Sequence, residues 1–599
     1  MIQLEVLSLC AHKAPRELSL SSLVPRTTWW IKVPLKREMI KKLICDAKDR
    51  ENTGKPSAGK DLYPNCDATV WTRSCEKEIF VPIEGRSSGS IPKWICGSLL
   101  RNGPGNLKFG QMRFDHLFDS SALLHRFAIK DGRVTYQCRF IETNSYRRNR
   151  AANRIVVTEF GTKAVPDPCQ SIFSRVASIF HPGESSSDNA MITVYPFGDD
   201  MFAFTETPVM FRFDVESLAT LERVNLYDKF GIVNHSSHPH IMPDGRIFNL
   251  GLSVSGMGPK YTILEFPRGK RQWEMANVVA TLPTRWKLHP GYMHTFGISE
   301  NFFILIEQPL SVSVRHMIAA HVKNEPLMAS FKWFEEHNTH IYLLDRKTGA
   351  LKHTFYSEPF FFLHVINSFE KEDHLILDIC CYNDPKMLNC MYIESLQEMQ
   401  TNPDYAKMFR GRPLRFILPL NPPTSSANSF IGKLIKKNDE NDGRENLIKL
   451  QGTAAEAFYA DNRKIFCFPE LLCDLGCETP RINYERFGRK EYTYFYAISA
   501  DVDADNPGTI IKVNVKNKTK ITWCEENCYP SEPIFLEAPD SKAEDDGVII
   551  ASLIWGRGDE NHTGLIVLCA KTLKELGRAE FLTPTPVPKC LHGWFTPQK

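Results

Sequence analysis

Short apolar runs, each closed by turn residues, recur along this chain and restrict the folds open to it. The runs 154–159 (RIVVTE), 191–195 (MITVY), 302–306 (FFILI), 375–379 (LILDI), 510–515 (IIKVNV) and 548–554 (VIIASLI) are rich in β-branched and aromatic residues, which predicts strands. Lys130-Asp131-Gly132, Pro243-Asp244-Gly245 and Lys347-Thr348-Gly349 have the chemistry of hairpin turns. They join strand pairs directly rather than through crossover helices. Helical patterning is confined to 168–180, 314–336 and 393–408. Many short antiparallel strands over 599 residues predict an all-β propeller or stacked sandwiches, and periodicity does not separate the two.

Hydrophobic residues at 42% and charged residues at 24% are enough to build a large core. Lys+Arg 73 against Asp+Glu 70 leaves a net charge of +3, so nothing in the balance asks for nucleic acid. The opening MIQLEVLSLCAHKAPRE has no basic start and carries Glu5, which makes it a poor export signal. No run of about 18 uncharged apolar residues suggests a membrane span. The 17 cysteines are odd in number and irregularly spaced, as expected of reduced thiols in the cytoplasm. Cys473/Cys477 and Cys524/Cys528 match zinc spacing on arithmetic, but 17 cysteines produce such spacings by chance. Residues 1–60 are basic and lack strand periodicity, and are expected to be an appended, partly irregular segment before one domain, 61–599. Within that domain 422–452, with KLIKKNDENDGREN, is expected to be a solvated surface insertion.

The chain has no glycine-rich dinucleotide loop with a following acid, no P-loop and no nucleophile elbow. What stands out is a set of histidines in apolar, strand-like surroundings: His238 in SSHPHIMPDGRIFNLG, His294 in GYMHTFGIS, His364 in FFFLHVINSFE and His592 in CLHGWF. A lone histidine in such a place is usually a satisfied core residue. Their separations of 56, 70 and 228 residues are too wide for a local metal motif. A propeller blade takes about 40–50 residues, so the spacing permits one ligand per blade converging on an axis. Within HPH, residues two apart share a strand face, and spacing does not choose between His238 and His240.

Several segments, taken in order, carry more information. LLRNGPG (99–105), HLFDSSALLHRF (116–127), NSYRRNRAANRIVVTEFGT, PDPCQSIFSRV, PSEPIF (530–535) and AEDDGVII, together with HPHI, YMHTFG, HVINSFE and LHGWF, resemble the carotenoid cleavage oxygenases from about 99 to 595. NSYRRNRAANR is most similar to the insect carotenoid isomerooxygenases. The resemblance implies a seven-bladed β-propeller with a helical cap over one face. It implies a non-haem Fe(2+) held by His238, His294, His364 and His592, leaving His240, His235 and His289 as pocket or core residues. Three glutamates of the family match Glu206, Glu478 and Glu532, which would take the other ring N–H of ligating histidines. Thr205 would lie beside the iron, with Phe160 and Tyr382 as walls of an apolar tunnel. Four neutral imidazoles leave up to two positions of an octahedron open for O2.

The activity implied is cleavage of a carotenoid at its central double bond to two retinal-type aldehydes, one half passing from trans to 11-cis. The family's other members offer eccentric cleavage or retinyl-ester isomerohydrolysis. A non-catalytic carotenoid-binding propeller would be expected to lack a histidine or glutamate of the seven, and none is missing. The segment 166–180 resembles the family's amphipathic membrane-docking stretch, with Phe173, Val176, Ile179 and Phe180 at helical spacing, Arg175 toward headgroups and Cys169 open to acylation. A peripheral protein that takes its substrate from a membrane surface, such as the endoplasmic reticulum, is therefore expected. Two departures stand out. Asp119-Ser120-Ser121 replaces the family's FDG, where a glycine at positive φ would not tolerate serine freely. LHVIN carries one histidine where many animal relatives carry two.

Overall fold

The computed structural model describes residues 38–45, 61–165, 187–422, 445–460 and 463–598. Among them, seven sheets, antiparallel except for one added strand, form the blades of a propeller. Blade 1 runs inward from Ile79–Glu84 through Arg133–Phe140, Ser121–Lys130 and Gly97–Asn106 to the C-terminal strand Gly593–Pro597. Blade 2 is Thr193–Phe197, Asp200–Phe204, Val209–Phe213 and Thr220–Asn225. In blade 3, Ile232–His235 and His240–Ile241 both pair with Ile247–Ser255, followed by Gly258–Phe266 and Asn277–Pro283. Blade 4 starts at Gly297–Ile298 and continues through Phe302–Glu307, Thr339–Asp345 and Leu351–Ser357, with Ile465–Phe468 added in parallel. Blade 5 is Phe361–Lys371, His374–Tyr382, Arg412–Pro419 and Glu470–Leu471, and blade 6 is Glu478–Arg481, Tyr494–Ser499, Thr509–Asn514 and Lys520–Trp523. In blade 7, Cys528–Pro530 and Ile534–Glu537 share the partner Gly547–Trp555, followed by His562–Cys569, Glu575–Leu582 and Arg86–Gly89.

The ring closes where the last strand of the chain joins the first blade. Closure depends on two glycines of the sequence motifs. A Cβ on Gly103 would meet Cys590 Cα at 2.7 Å, and one on Gly593 would meet the Leu100 carbonyl oxygen at 2.4 Å. No side chain fits either place. The turn between Ser121–Lys130 and Arg133–Phe140 has φ of 51° at Asp131 and 77° at Gly132, the left-handed pair that matches strand twist. Buried strand residues such as Leu375, Leu377, Leu414 and Phe416 pack between blades, each worth about 1.5–3 kcal/mol over exposure.

Several local expectations need correcting. Residues 154–159 form no strand: Asn149 Oδ1 accepts from Val156 N and Val157 N, and Val165 N donates to Ile155 O. Their apolar side chains are used in an irregular segment whose main chain is satisfied locally. A helix, Asn144–Ala152, precedes it, started by the Thr143 cap. The stretch 314–336 is α-helical only over Val314–Lys323, ended by left-handed Asn324 and followed by a 3-10 turn at Leu327–Ser330, and 393–408 breaks into Ile393–Gln397, a 3-10 turn and Tyr405–Met408. Within 1–60, Met39–Ile44 is a docked helix with Ile40 and Ile44 buried, and Glu358 accepts from Ile40 N at 2.9 Å. At the far end of 422–452, Leu447 and Ile448 are buried, so that end is packed rather than solvated. Ser120 has φ −55°, and Ser121 is not left-handed either; Ser120 Oγ accepts from Gly105 N. The serine therefore carries no strain and adds a bond. The segment 166–180, including Cys169, lies outside the described residues.

Candidate metal centre

Each blade delivers one residue to the axis. Inner strands of blades 1 and 2, 4 and 5, 5 and 6, and 7 and 1 touch, and the seven residues are His592 from blade 1, Glu206 from the hairpin of blade 2, His238 from blade 3, His294 entering blade 4, His364 from blade 5, Glu478 from blade 6 and Glu532 from blade 7. The four histidines stand where the strand ladder is broken. His238 falls between Ile232–His235 and His240–Ile241, His294 precedes Gly297–Ile298, and His592 precedes Gly593–Pro597. His364 sits in a register shift between Phe362 and Val365. A bulge turns a side chain out of its alternating direction, which lets a strand residue face the axis.

The rings meet. His238 Nε2 lies 3.1 Å from His294 Nε2, and His364 Nε2 lies 3.3 Å from His592 Nε2. Ring centroids of His238 are 4.8 Å from His294, 4.9 Å from His364 and 4.5 Å from His592. Ligand nitrogens of His238, His294 and His364 all fall within 4.8 Å of one another. His240 is turned elsewhere, to Phe296 O at 2.9 Å and the Tyr484 hydroxyl at 2.6 Å. His235 is buried against Asn249, and His289 packs on Phe334.

On the outer side of the rings, the Nδ1 atoms of His294 and His364 donate to Glu206 Oε1 and Glu478 Oε2. His592 Nδ1 donates to Glu532 Oε1 at 2.9 Å. Glu478 is aimed by an irregular stretch: its strand shifts register between Glu478 and Arg481, and Thr479 is left-handed with φ 50°. A threonine held there costs about 1–3 kcal/mol, strain of the sort found at functional sites.

With Nδ1–H committed outward, the Nε2 atoms of these three rings present lone pairs to the cluster. Burial first, and repulsion from the other three imidazoles second, keep His238 well below its ordinary pKa. His592 is lowered by burial to about 4 despite Glu532. The lone pairs of His364 and His592, on nitrogens 3.3 Å apart, repel unless a cation lies between them. Nitrogens sharing one divalent ion at about 2.1 Å would be separated by roughly 3 to 3.5 Å. The charge agrees as well. Among the described residues Glu206 and Glu478 have ion-pair partners only in the histidines, whereas Glu532 meets Arg101 and Arg481. Two carboxylates without a guanidinium match a divalent cation, and an all-imidazole donor set suits iron, copper or zinc rather than magnesium or calcium. The residues fit a transition-metal ion.

The pocket residues divide. Phe160 is half-buried in an aromatic line: its ring is 5.1 Å from His116 and 5.6 Å from Phe331, and Phe331 is 5.4 Å from Tyr292. Tyr292 reaches Glu206 Oε1 at 2.7 Å, so the line ends at His294. Tyr382, expected as a wall, is buried, and its hydroxyl donates to Glu478 Oε1 at 2.7 Å. Thr205 is half-buried in the turn beside Glu206. Sequence reasoning missed Tyr292, Arg101 and Arg481. Arg101 Nη1 donates to Glu532 Oε2 at 3.2 Å and Arg481 Nε to Glu532 Oε1 at 2.9 Å. Burial alone would raise the Glu532 carboxyl, but Arg481, His592 and Arg101 hold it below its ordinary range. A charge inside the apolar run LLRNG was the available signal for Arg101. Cys473 and Cys477 do not pair with Cys524 and Cys528 around a metal; among the described residues the histidines are the one group of three or more that could hold an ion.

Comparison with known proteins agrees with this architecture. The model of the family described as retinal pigment epithelial membrane protein matches residues 72–597. The carotenoid isomerooxygenase of Drosophila melanogaster is 55% identical over 584 residues, covering 90% of this chain and 94% of its own. That of Galleria mellonella is 53% identical, covering 90% and 98%. Human beta,beta-carotene 15,15'-dioxygenase is 34% identical, covering 87% and 93%. Among solved structures, a Synechocystis apocarotenoid oxygenase mutant superposes with a TM-score of 0.67 at 20% identity, covering 89% of this chain and 100% of that one. These matches establish that the chain belongs to the retinal pigment epithelial membrane protein family, that of the carotenoid oxygenases.

Proposed function

We propose that this protein is an iron(II) dioxygenase that cleaves a carotenoid at its central double bond into two retinal-type aldehydes, one of them 11-cis. The observation that carries the reading is the convergence of four imidazole rings and three carboxylates, one from each blade. Two insect relatives named carotenoid isomerooxygenase, above 50% identity over most of their length, support the substrate class and the coupled isomerisation. His238, His294, His364 and His592 would hold the iron, which supplies activation of dioxygen. Glu206, Glu478 and Glu532 keep the Nδ1 protons of three rings facing outward, so each Nε2 stays a donor to metal. Dioxygen adds across one C=C bond and both its oxygen atoms end in the two carbonyls, with no reductant consumed. Phe160, Phe331 and Tyr292 give the polyene an apolar path with few polar groups to hold water.

A lipid-soluble substrate requires contact with a membrane surface. Among the described residues no helix is long and apolar enough to cross one. Met257 is 73% exposed and Leu288 57%; Gly258 faces Lys287, and Leu288 O accepts from Val314 N at the start of the helix that carries exposed Met317. This apolar rim, beside the aromatic path, supports peripheral docking of a cytoplasmic protein.

The test is anaerobic purification with iron analysis, followed by β-carotene and air in one vessel, a retinyl ester in another, and chromatography of both. The expected products are retinal-type aldehydes from the carotenoid, one 11-cis, and nothing from the ester. His592→Ala should lose iron and turnover together. Retinol released from the ester alone would overturn the dioxygenase reading, and all-trans aldehydes alone would remove the isomerisation.

A further inference from the structure

The breaks that turn the histidines toward the axis also strip their main chain of ladder partners, and buried N–H and C=O groups need partners. Two side-chain hydroxyls supply them. Ser236, 1% exposed, accepts from His238 N at 3.0 Å and donates to the carbonyl oxygen of His294 at 2.7 Å. Thr295, 4% exposed, donates to the carbonyl oxygen of Leu363 at 2.6 Å, the residue before His364 and inside its register shift. Ser236 therefore ties the His238 break in blade 3 to the His294 break in blade 4, and Thr295 ties blade 4 to the His364 break in blade 5. The second seam is also spanned by Gln308, which accepts from Phe362 N at 2.9 Å. Ser237, next to Ser236 and fully buried, has a hydroxyl without a protein partner among the described residues.

From this arrangement we infer that Ser236 and Thr295 are positioning residues: their hydroxyls lace three consecutive blades at the histidine breaks and set the spacing of His238, His294 and His364 before any metal arrives. The inference rests on the proposed metal centre. Ser236 forms two of these bonds, Thr295 one on a doubly spanned seam, so Ser236 is the more influential. Neither touches a ring nitrogen; both act through the main chain that carries the rings.

The test uses full-length protein stripped of metal and titrated with Co2+ alone, whose visible ligand-field absorption reports the geometry of its donors. Ser236→Ala should weaken Co2+ binding about tenfold and Thr295→Val about threefold, in the order of the hydrogen bonds each one loses. Both variants should broaden or shift the absorption bands. Ser236→Thr should restore binding, and Ser237→Ala should leave it within twofold of the parent. The thermal midpoint of metal-free protein separates positioning from folding: Ser236→Ala should lie only slightly below Ser237→Ala there, because two hydrogen bonds are a small part of the stability of a fold this large. Unchanged Co2+ affinity and spectrum in Ser236→Ala and Thr295→Val would overturn the lacing, as would a loss of affinity matched by a metal-free midpoint far below that of Ser237→Ala. A parent protein that binds no Co2+ at the histidines would remove the metal centre itself, and with it this inference.

Discussion

Around His592 the supporting carboxylate, Glu532, is gripped by Arg101 and Arg481, whereas Glu206 and Glu478, beside His294 and His364, each receive a tyrosine hydroxyl and, among the described residues, no guanidinium. The first arrangement lies at the seam where the chain's last strand meets its first blade. Arg101 also donates to Leu591 O at 2.7 Å, and Glu532 accepts from Gly593 N at 2.9 Å. The network therefore closes the ring as well as orienting a histidine. The second arrangement leaves negative charge uncompensated at the axis, where a cation can use it. One side of the centre is built for closure, the other for metal.

Substitutions that separate the two sides test this contrast. Glu532→Gln should be the most damaging, because Arg101 is fully buried and would be left without its carboxylate, a cost of about 3–5 kcal/mol. Its thermal midpoint and its iron content should fall together. Gly593→Ala attacks the same seam: the added carbon meets Arg101 Cδ at 2.6 Å, and overpacking of this type costs about 1–3 kcal/mol. Thermal melts should place it between Glu532→Gln and the parent. Glu478→Gln and Glu206→Gln should behave differently, lowering metal affinity by about 10–100-fold with little change in the melting of metal-free protein. If Glu478→Gln destabilises metal-free protein as much as Glu532→Gln does, the contrast is broken. Tyr292→Phe and Tyr382→Phe sharpen it at the small end, each removing one hydroxyl bond worth about 1 kcal/mol, a few-fold in metal affinity.

Much of this site was legible in the sequence, and the manner of its legibility is physical. The four histidines stood out because each is a polar group in an apolar run. The family resemblance then chose among neighbours that strand periodicity left equivalent, as with His238 and His240. What periodicity could not carry is the break in the ladder. His364 lies inside a run, 361–371, that reads as an uninterrupted strand, and its register shift is set by packing between blades. The same blindness produced the error at 154–159, where the β-branched pattern RIVVTE is real but Asn149 supplies the main-chain bonds that a neighbouring strand would have made. The family resemblance singled out Tyr382 as a wall, while the bond from its hydroxyl to Glu478, 96 residues away, had no local signature. Partners brought together by closure of the ring, such as Arg101 with Glu532, are separated by 431 residues and have no local signature.

The most direct test of the account is an X-ray absorption spectrum of the anaerobically purified iron form, read beside its iron content. Four imidazole-type nitrogen neighbours at one iron per chain is the predicted result, with no carboxylate oxygen bound to the metal. Iron retained in His592→Ala with an unchanged spectrum, or a parent spectrum dominated by carboxylate oxygen, would contradict it.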